Sequence, residues 1–325
     1  MTLTDHRVVD NWSVTPATAH DFRLIADFLS TTRGLGGRKF AADSRDVAEQ
    51  LDGVFGDGAT VVRDDAGRVR GYTALHRPHG LAPEVLADFV FDPRTSPNVV
   101  DDLVGAAVAR FQAEAVAIPD AFLRTFIGAN QQSAIDALIR RGARQEGQFI
   151  RTRKPLADED PAALEAAAID GLTVVHWPEI IERGLGEQVR QVQYDTFLEH
   201  FGNMSKTPEL WLHHIESRAF TPDFSLAAID TDGDVVGYVL GSTYTTGVGA
   251  SEERSAHTDY IGVRGEPDLL QQELGDAALR RGLTVASLGT DVNNRSNAHL
   301  LYRRLGYIAV ENQFAYRIDS LAETR

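Results

Sequence analysis

The chain has 325 residues, 43% of them hydrophobic and 24% charged, and no cysteine. That is enough for two domains with ordinary cores, and it excludes disulfides, thiolate metal sites and a cysteine nucleophile. A formal net charge of −15 repels nucleic acid and anionic lipid, so neither is an expected partner. No stretch reaches the roughly 18 to 20 apolar residues of a membrane span. The first residues lack the apolar core of a secretory signal, so the expected location is cytoplasmic.

The elements follow in chain order. Residues 12–14 read as a short strand. Thr15 is placed to cap a helix, with Pro16 at its first position. Phe22, Leu24, Ile25, Phe28 and Leu29 then keep helical spacing. Residues 32–37 are a loop, 59–63 a strand, 64–67 a hairpin turn and 69–75 the returning strand. Residues 85–91 are almost wholly apolar, as a central strand should be. A helix over 99–115, a strand over 122–127 and a helix over 133–141, stopped by Gly142, follow, and residues 149–152 close the unit. Residues 156–171 read as a linker, with an acidic run and an alanine-rich stretch.

The order then repeats. Residues 172–176 are a strand, 187–201 and 208–217 helices, and 224–229 and 235–240 strands about the turn 230–233. A central strand is expected over 260–263, a helix over 269–281, a strand over 285–288, a helix over 298–304 and a last strand over 314–318. Each unit is β-α-α-β-β-β-α-β-α-β, so the fold class is α/β with a mixed (α+β) sheet and helices on both faces. The expected division is 1–155, a linker over 156–171, and 172–325.

The repetition is visible in the residues themselves. Asn130, Ala134, Leu138 and Gly142 recur as Asn294, Ala298, Tyr302 and Gly306, each 164 residues later. Gly67, Gly71 and Tyr72 recur as Gly233, Gly237 and Tyr238, each 166 residues later. Units of about 165 residues are whole domains rather than solenoid repeats. The chemically telling difference is Leu138 in the first copy against Tyr302 in the second.

The run from Asp291 through Asn294, Ala298 and Tyr302 to Gly306 and Tyr307 resembles the signature of the GNAT acetyltransferase superfamily, and both halves share the resemblance. The whole is similar to the tandem-GNAT arrangement, of which mycothiol synthase is one example. The resemblance implies acetyl-CoA as co-substrate, held between two splayed parallel strands at 260–263 and 285–288. It implies a small-molecule amine acceptor that attacks the thioester directly, and no metal. Tyr302 matches the family's general acid, a phenol that stays protonated at neutral pH. Asn294 matches a cofactor-supporting residue and would equally serve as a helix N-cap. Ile261 and Val263 on the central strand, with Arg264 and Gly265 beyond it, are the expected cofactor contacts.

Two departures from the pattern stand out. The family's glycine-rich diphosphate loop is missing from both copies. In the first, residues 92–102 contain no glycine, and Asp101 and Asp102 would repel an anion. In the second, only residues 264–268 separate the strand from the next helix. The first domain is therefore expected to be non-catalytic and the second catalytic. The alternative is a degenerate pair that binds a ligand or partner without catalysis.

Candidate bases are His257 and Asp259, with Glu252 and Glu253 in the loop before the strand. Strand alternation puts His257 and Asp259 on one face, Thr258 and Tyr260 on the other. Tyr194, Phe197, His200, Phe201 and Trp211 put aromatic weight in the acceptor region. His213 and His214 are adjacent, which is not metal-ligand spacing on a helix, and His76 and His79 lack a third ligand. Acceptor identity and oligomeric state are not written in the sequence.

Overall fold

The computed structural model describes residues 7–9, 11–31, 43–78, 83–156, 170–198, 200–201, 204–246, 253–263, 278, 280–293 and 297–321. They form two compact units. The first takes the described residues up to Phe149, Thr246 and those from Glu311 onward; the second takes the described residues within 150–245 and 253–310.

The first unit contains β1 (Arg7–Val9), β2 (Trp12–Pro16), α1 (Phe22–Thr31), α2 (Ser44–Leu51), β3 (Val54–Arg63), β4 (Val69–His76), β5 (Glu84–Phe91), α3 (Pro97–Ala115), β6 (Phe122–Gly128) and α4 (Gln132–Arg140). Its strands run in the order β1-β2-β3-β4-β5-β6, and the chain's last strand, β13 (Ile308–Asp319), lies beyond β6. Phe89, Val104, Phe111 and Leu138 pack in a core with α3 and α4. Ile25, Val47, Tyr72 and Val90 pack in a second core with α1 and α2. Each such buried side chain contributes about 1.5–3 kcal/mol.

The strand β7 (Arg144–Pro155) runs from the first unit into the second. There follow β8 (Thr173–His176), α5 (Trp177–Glu182), α6 (Gly186–Phe197), α7 (Pro208–Ile215), β9 (Leu226–Ile229), β10 (Val235–Thr246), β11 (Glu253–Val263), β12 (Val285–Asp291) and α8 (Ala298–Arg304). The strand order is β7-β12-β11-β10-β9-β8. Ala256, Leu288, Tyr302 and Tyr307 share one core. Trp177, Val192, Trp211, Tyr238 and Leu240 share the other, with α5, α6 and α7.

The duplication extends to atomic detail. In the first hairpin, Asp64 Oδ1 accepts from the N–H of Ala66 at 3.1 Å and of Arg68 at 2.9 Å. In the second, Asp230 Oδ1 accepts from Asp232 at 3.0 Å and Asp234 at 2.9 Å. Gly67 and Gly233 close these turns at φ +73° and +87°, a region that disfavours any side chain. Gly142 and Gly306, at +83° and +87°, end α4 and α8 in the same way.

Some sequence expectations need correction. Pro16 does not open a helix; it ends β2, paired with Thr60. Among the described residues β1 covers only Trp12 to Val14, so the missing N–H of Pro16 breaks no described ladder hydrogen bond. The helix begins at Phe22, where Asp21 accepts from the N–H and hydroxyl of Thr18 at 2.8 and 2.9 Å. α6 stops at Phe197 because the chain folds back and stacks His200 on Phe197, with ring centres 4.3 Å apart. Phe201 is therefore not on that helix, and α5 is an additional short one. Glu253 is not in a loop: it starts β11 and pairs with Arg153 at 2.6 Å. Asp101 is held by Arg140 and Arg141 at 2.7 Å each, which neutralises the repulsion expected of it. The last strand pairs with β6 of the first unit, Gln313 opposite Gly128 through Asp319 opposite Phe122. Alternation identifies a strand but not its partner.

Candidate functional site

The second unit opens between two parallel strands. β11 and β12 pair over four positions, from Ser255 opposite Val285 to Thr258 opposite Leu288. β11 then continues to Val263 and β12 to Asp291 with no further register between them. The stretch of β11 beyond its pairing with β12 contains Asp259, Tyr260, Ile261 and Val263.

The side-chain alternation slips where the pairing ends. Ala256 and Ile261 both pack in the core that holds Tyr302, although five residues apart they should face opposite ways. Tyr260 packs in the other core, 5.3 Å from the Phe197 ring and 5.2 Å from the His214 ring. Asp259 also meets His214, with Oδ2 3.6 Å from Nε2. Consecutive residues thus share the face of α6 and α7, which is the signature of a bulge. The expectation that Asp259 and Tyr260 face apart fails for this reason.

Asp259 is the centre of a polar cluster on that face. Its side chain is 8% exposed, accepts from the Ser242 hydroxyl and lies 3.4 Å from the Tyr244 hydroxyl. Burial pushes its pKa up to about 7, against the lowering effect of those two hydroxyls and of Lys206. A carboxyl with that value exchanges its proton near neutrality. His257 hydrogen-bonds Ser287 Oγ at 2.9 Å and packs its ring 4.8 Å from Tyr244. Burial, reinforced by Arg151, lowers it to about 3. His214 is also lowered to about 3, by burial first and then by Lys206 and His213.

Tyr302 lies on the opposite face. It is 5% exposed, with its ring 6.0 Å from that of Tyr307. Burial raises its phenol to about 12, so it carries its proton throughout the physiological range. α8 positions it: Asn297, at φ 52°, precedes the helix, and Tyr307 N–H closes its end on Tyr302 O at 2.9 Å.

No family model matches the chain, and no curated protein does. Solved structures match over nearly its whole length. A GCN5-related N-acetyltransferase from Sphaerobacter thermophilus aligns with a TM-score of 0.71 at 21% identity, covering 98% of this chain and 100% of that one. A tandem GNAT protein from the clavulanic acid biosynthesis pathway aligns at 0.62 and 16% identity, over 97% and 99%. The N-myristoyltransferase of Saccharomyces cerevisiae, solved with myristoyl-CoA, aligns at 0.59 and 9%, over 98% and 86%. The chain has the tandem GNAT fold.

The two GNAT units treat their parallel strands differently. In the first, β5 and β6 pair from Glu84 opposite Phe122 to Ala87 opposite Thr125. Val85, Ala87, Phe89 and Phe91 stay in one core and Val90 in the other, so the alternation does not slip. The gap beyond is bridged by Gln131, whose Nε2 donates to Phe91 O at 2.9 Å and whose Oε1 accepts from Phe91 N at 3.1 Å. Both units bury an aspartate one step past the last paired position. Asp88 meets His76 Nε2 at 2.7 Å, where Asp259 meets Ser242. Leu138, at the place of Tyr302, is fully buried in the core.

Of the residues singled out in the sequence, the structure brings Asp259, His257 and Ile261 onto the strand that opens, and the β11 backbone extends through Val263. Asn294, Arg264, Gly265 and Glu252 lie outside the described residues. Sequence reasoning missed Ser242, Tyr244 and Lys206, and weighed His214 only as a metal ligand. The stretch Ser242–Thr246 carried a signal in its polar, β-favouring residues directly after an apolar strand.

Proposed function

We propose that the second unit is an acyl-CoA-dependent N-acyltransferase, with acetyl-CoA as co-substrate and a small-molecule amine as acceptor, and that the first unit is non-catalytic. The observation that carries this reading is the pair of parallel strands that opens in the second unit, with a buried carboxyl, Asp259, on one face and a buried protonated phenol, Tyr302, on the other. The whole-chain likeness to acetyl- and acyltransferase structures supports it. So does Gln131, which occupies the corresponding gap in the first unit. The opened strands fit an acyl-CoA, because the edge of β11 that β12 leaves beyond Thr258 offers amide groups to the pantetheine and the acyl carbonyl.

In this reading Asp259 takes a proton from the acceptor ammonium, leaving a neutral amine. The amine nitrogen forms a bond to the thioester carbon, and the carbon–sulfur bond breaks with its electron pair passing to sulfur. Tyr302 gives its proton to that thiolate, the nitrogen of the new amide passes its surplus proton through water to the phenolate, and Asp259 releases the proton it took to solvent. A base titrating near neutrality and an acid titrating well above it hold complementary states at pH 7. His257, lowered to about 3, is the weaker base and serves better as a neutral neighbour of Tyr244. No helix among the described residues is long and apolar enough to cross a membrane, and the location we propose is the cytoplasm.

The test pairs binding with turnover. Saturating acetyl-CoA should raise the melting temperature, by about 2.7 kcal/mol of stabilisation at a hundredfold excess over Kd. Tyr302→Phe should keep that protection and lower kcat by roughly 10²–10⁴-fold. A melting temperature indifferent to acetyl-CoA would instead favour a degenerate pair that binds some other ligand.

A further inference from the structure

Lys206 has no part in the steps above, yet the structure holds it in place with care. Gln193 is wholly buried; its Oε1 accepts from Lys206 N at 2.7 Å and its Nε2 donates to Met204 O at 3.0 Å. Arg190, 9% exposed, donates to Lys206 O at 3.1 Å. Ser205 Oγ donates to Tyr194 O at 2.7 Å. Burying an amide and a guanidinium is costly unless both are hydrogen-bonded, and here they are bonded to the backbone that carries Lys206.

The side chain of Lys206 lies over the site. Its Nζ is 4.9 Å from the centre of the Tyr260 ring; it is near enough to Asp259 to lower that carboxyl's pKa but makes no direct ion pair among the described residues. Tyr260 is the neighbour of Asp259 on the bulge. The His214 ring, 5.2 Å from Tyr260, brings up a buried Nε2 that has no hydrogen-bond partner among the described residues. A fixed cation, a carboxyl and an unsatisfied imidazole nitrogen therefore surround one aromatic ring. A cation beside a buried site favours an anionic ligand. One lysine balances one negative charge, which suits a carboxylate better than a phosphate dianion with its larger demand for donors.

We propose that the acceptor is an amino acid or a similar small amine bearing a carboxylate, with its amine at Asp259 and its carboxylate on Lys206. The assignment of the amine rests on the acyltransfer reading; the carboxylate contact is testable without it. The probes are the free L-amino acids and the methyl esters of those that bind. Binding is measured by titration calorimetry without any acyl-CoA, and turnover by release of free CoA from acetyl-CoA.

The expected result is that one or more free acids bind about tenfold or more tighter than their esters. Lys206→Met should erase that preference and leave the KM for acetyl-CoA unchanged, while Lys206→Arg retains part of it. Equal binding of acid and ester, binding of no amino acid, or a preference that survives Lys206→Met would overturn the proposal, as would a raised KM for acetyl-CoA in that variant. Acid-selective binding that depends on Lys206 without CoA release would sustain the carboxylate contact and sink the acyltransfer reading. Turnover of amines without acid selectivity would do the reverse.

Discussion

Replacing Gln131 with methionine removes two hydrogen bonds and little volume. Asp92 N donates back across the sheet to Arg70 O at 2.7 Å. Strand alternation then turns the N–H and C=O of Phe91 the other way, toward β6, where pairing has stopped at Ala87. The Gln131 amide is what satisfies them there. Its side chain is buried, at 5% exposure, so water does not readily take its place. Two buried backbone groups left without partners cost about 1–3 kcal/mol each. Taking the lower half of that range for some relaxation of the loop, Gln131→Met should destabilise the first unit by about 2–4 kcal/mol. For a unit of this size that is a fall of roughly 4–16 °C in melting temperature. Urea unfolding of the full chain, followed by a probe in the first unit, reads the change directly. A loss below about 1 kcal/mol would show that the bridge is not structural and that the gap between β5 and β6 is free to open.

Asp259 holds a proton in the folded chain between about pH 4 and 7 that the unfolded chain has already lost, because burial raises its pKa from 3.8 to about 7. Its effect on stability is therefore increasingly unfavourable as pH rises through that window, reaching about 4 kcal/mol above pH 7. Asp259→Asn should gain on wild type from pH 4 to pH 8 in urea unfolding, and lose the limb of the kcat/KM profile near pH 7; a stability difference independent of pH would contradict the raised pKa. Gly262→Ala should destabilise by about 1–3 kcal/mol and lower activity, since the new methyl would meet the Thr196 hydroxyl and sit 2.7 Å from Tyr238 Cε1. A fully active, equally stable variant would show that α6 moves freely off β11.

Local patterns carried most of the fold. The hairpins at Asp64 and Asp230, the helix stops at Gly142 and Gly306 and the apolar run of β5 depend on neighbours in sequence, and the residues state them. Partners far along the chain were not legible. Nothing in residues 314–318 says that they pair with β6 rather than with a strand of their own repeat, because alternation is the same for either. Tyr302 and Asp259 were readable as residue types with spacing. The bulge that turns Asp259 and Tyr260 to one face was not, because its cause is the loss of β12 pairing beyond Thr258. Lys206 was hidden for a related reason: its position over Tyr260 depends on Gln193, thirteen residues earlier, whose amide reads in the sequence as an ordinary polar helix residue.

The contrast between the copies does not reduce to one residue. Leu138→Tyr in the first unit would place a phenol in a core position that is wholly enclosed, where its hydroxyl would lack a partner. The gap it should face is bridged by Gln131. The strand beside that gap keeps its alternation through Phe91, so the position after Asp88 is a core phenylalanine, where the second unit has Tyr260 on the face of α6 and α7. Each of these differences protects the others. The bridge satisfies the backbone that the missing slip leaves in line, and the leucine fills the core on which that regular strand packs. Reversing any one alone should cost stability without reproducing the geometry of the second unit, which is the physical reason a duplicated unit can retain the frame of its twin and still differ from it between the parallel strands.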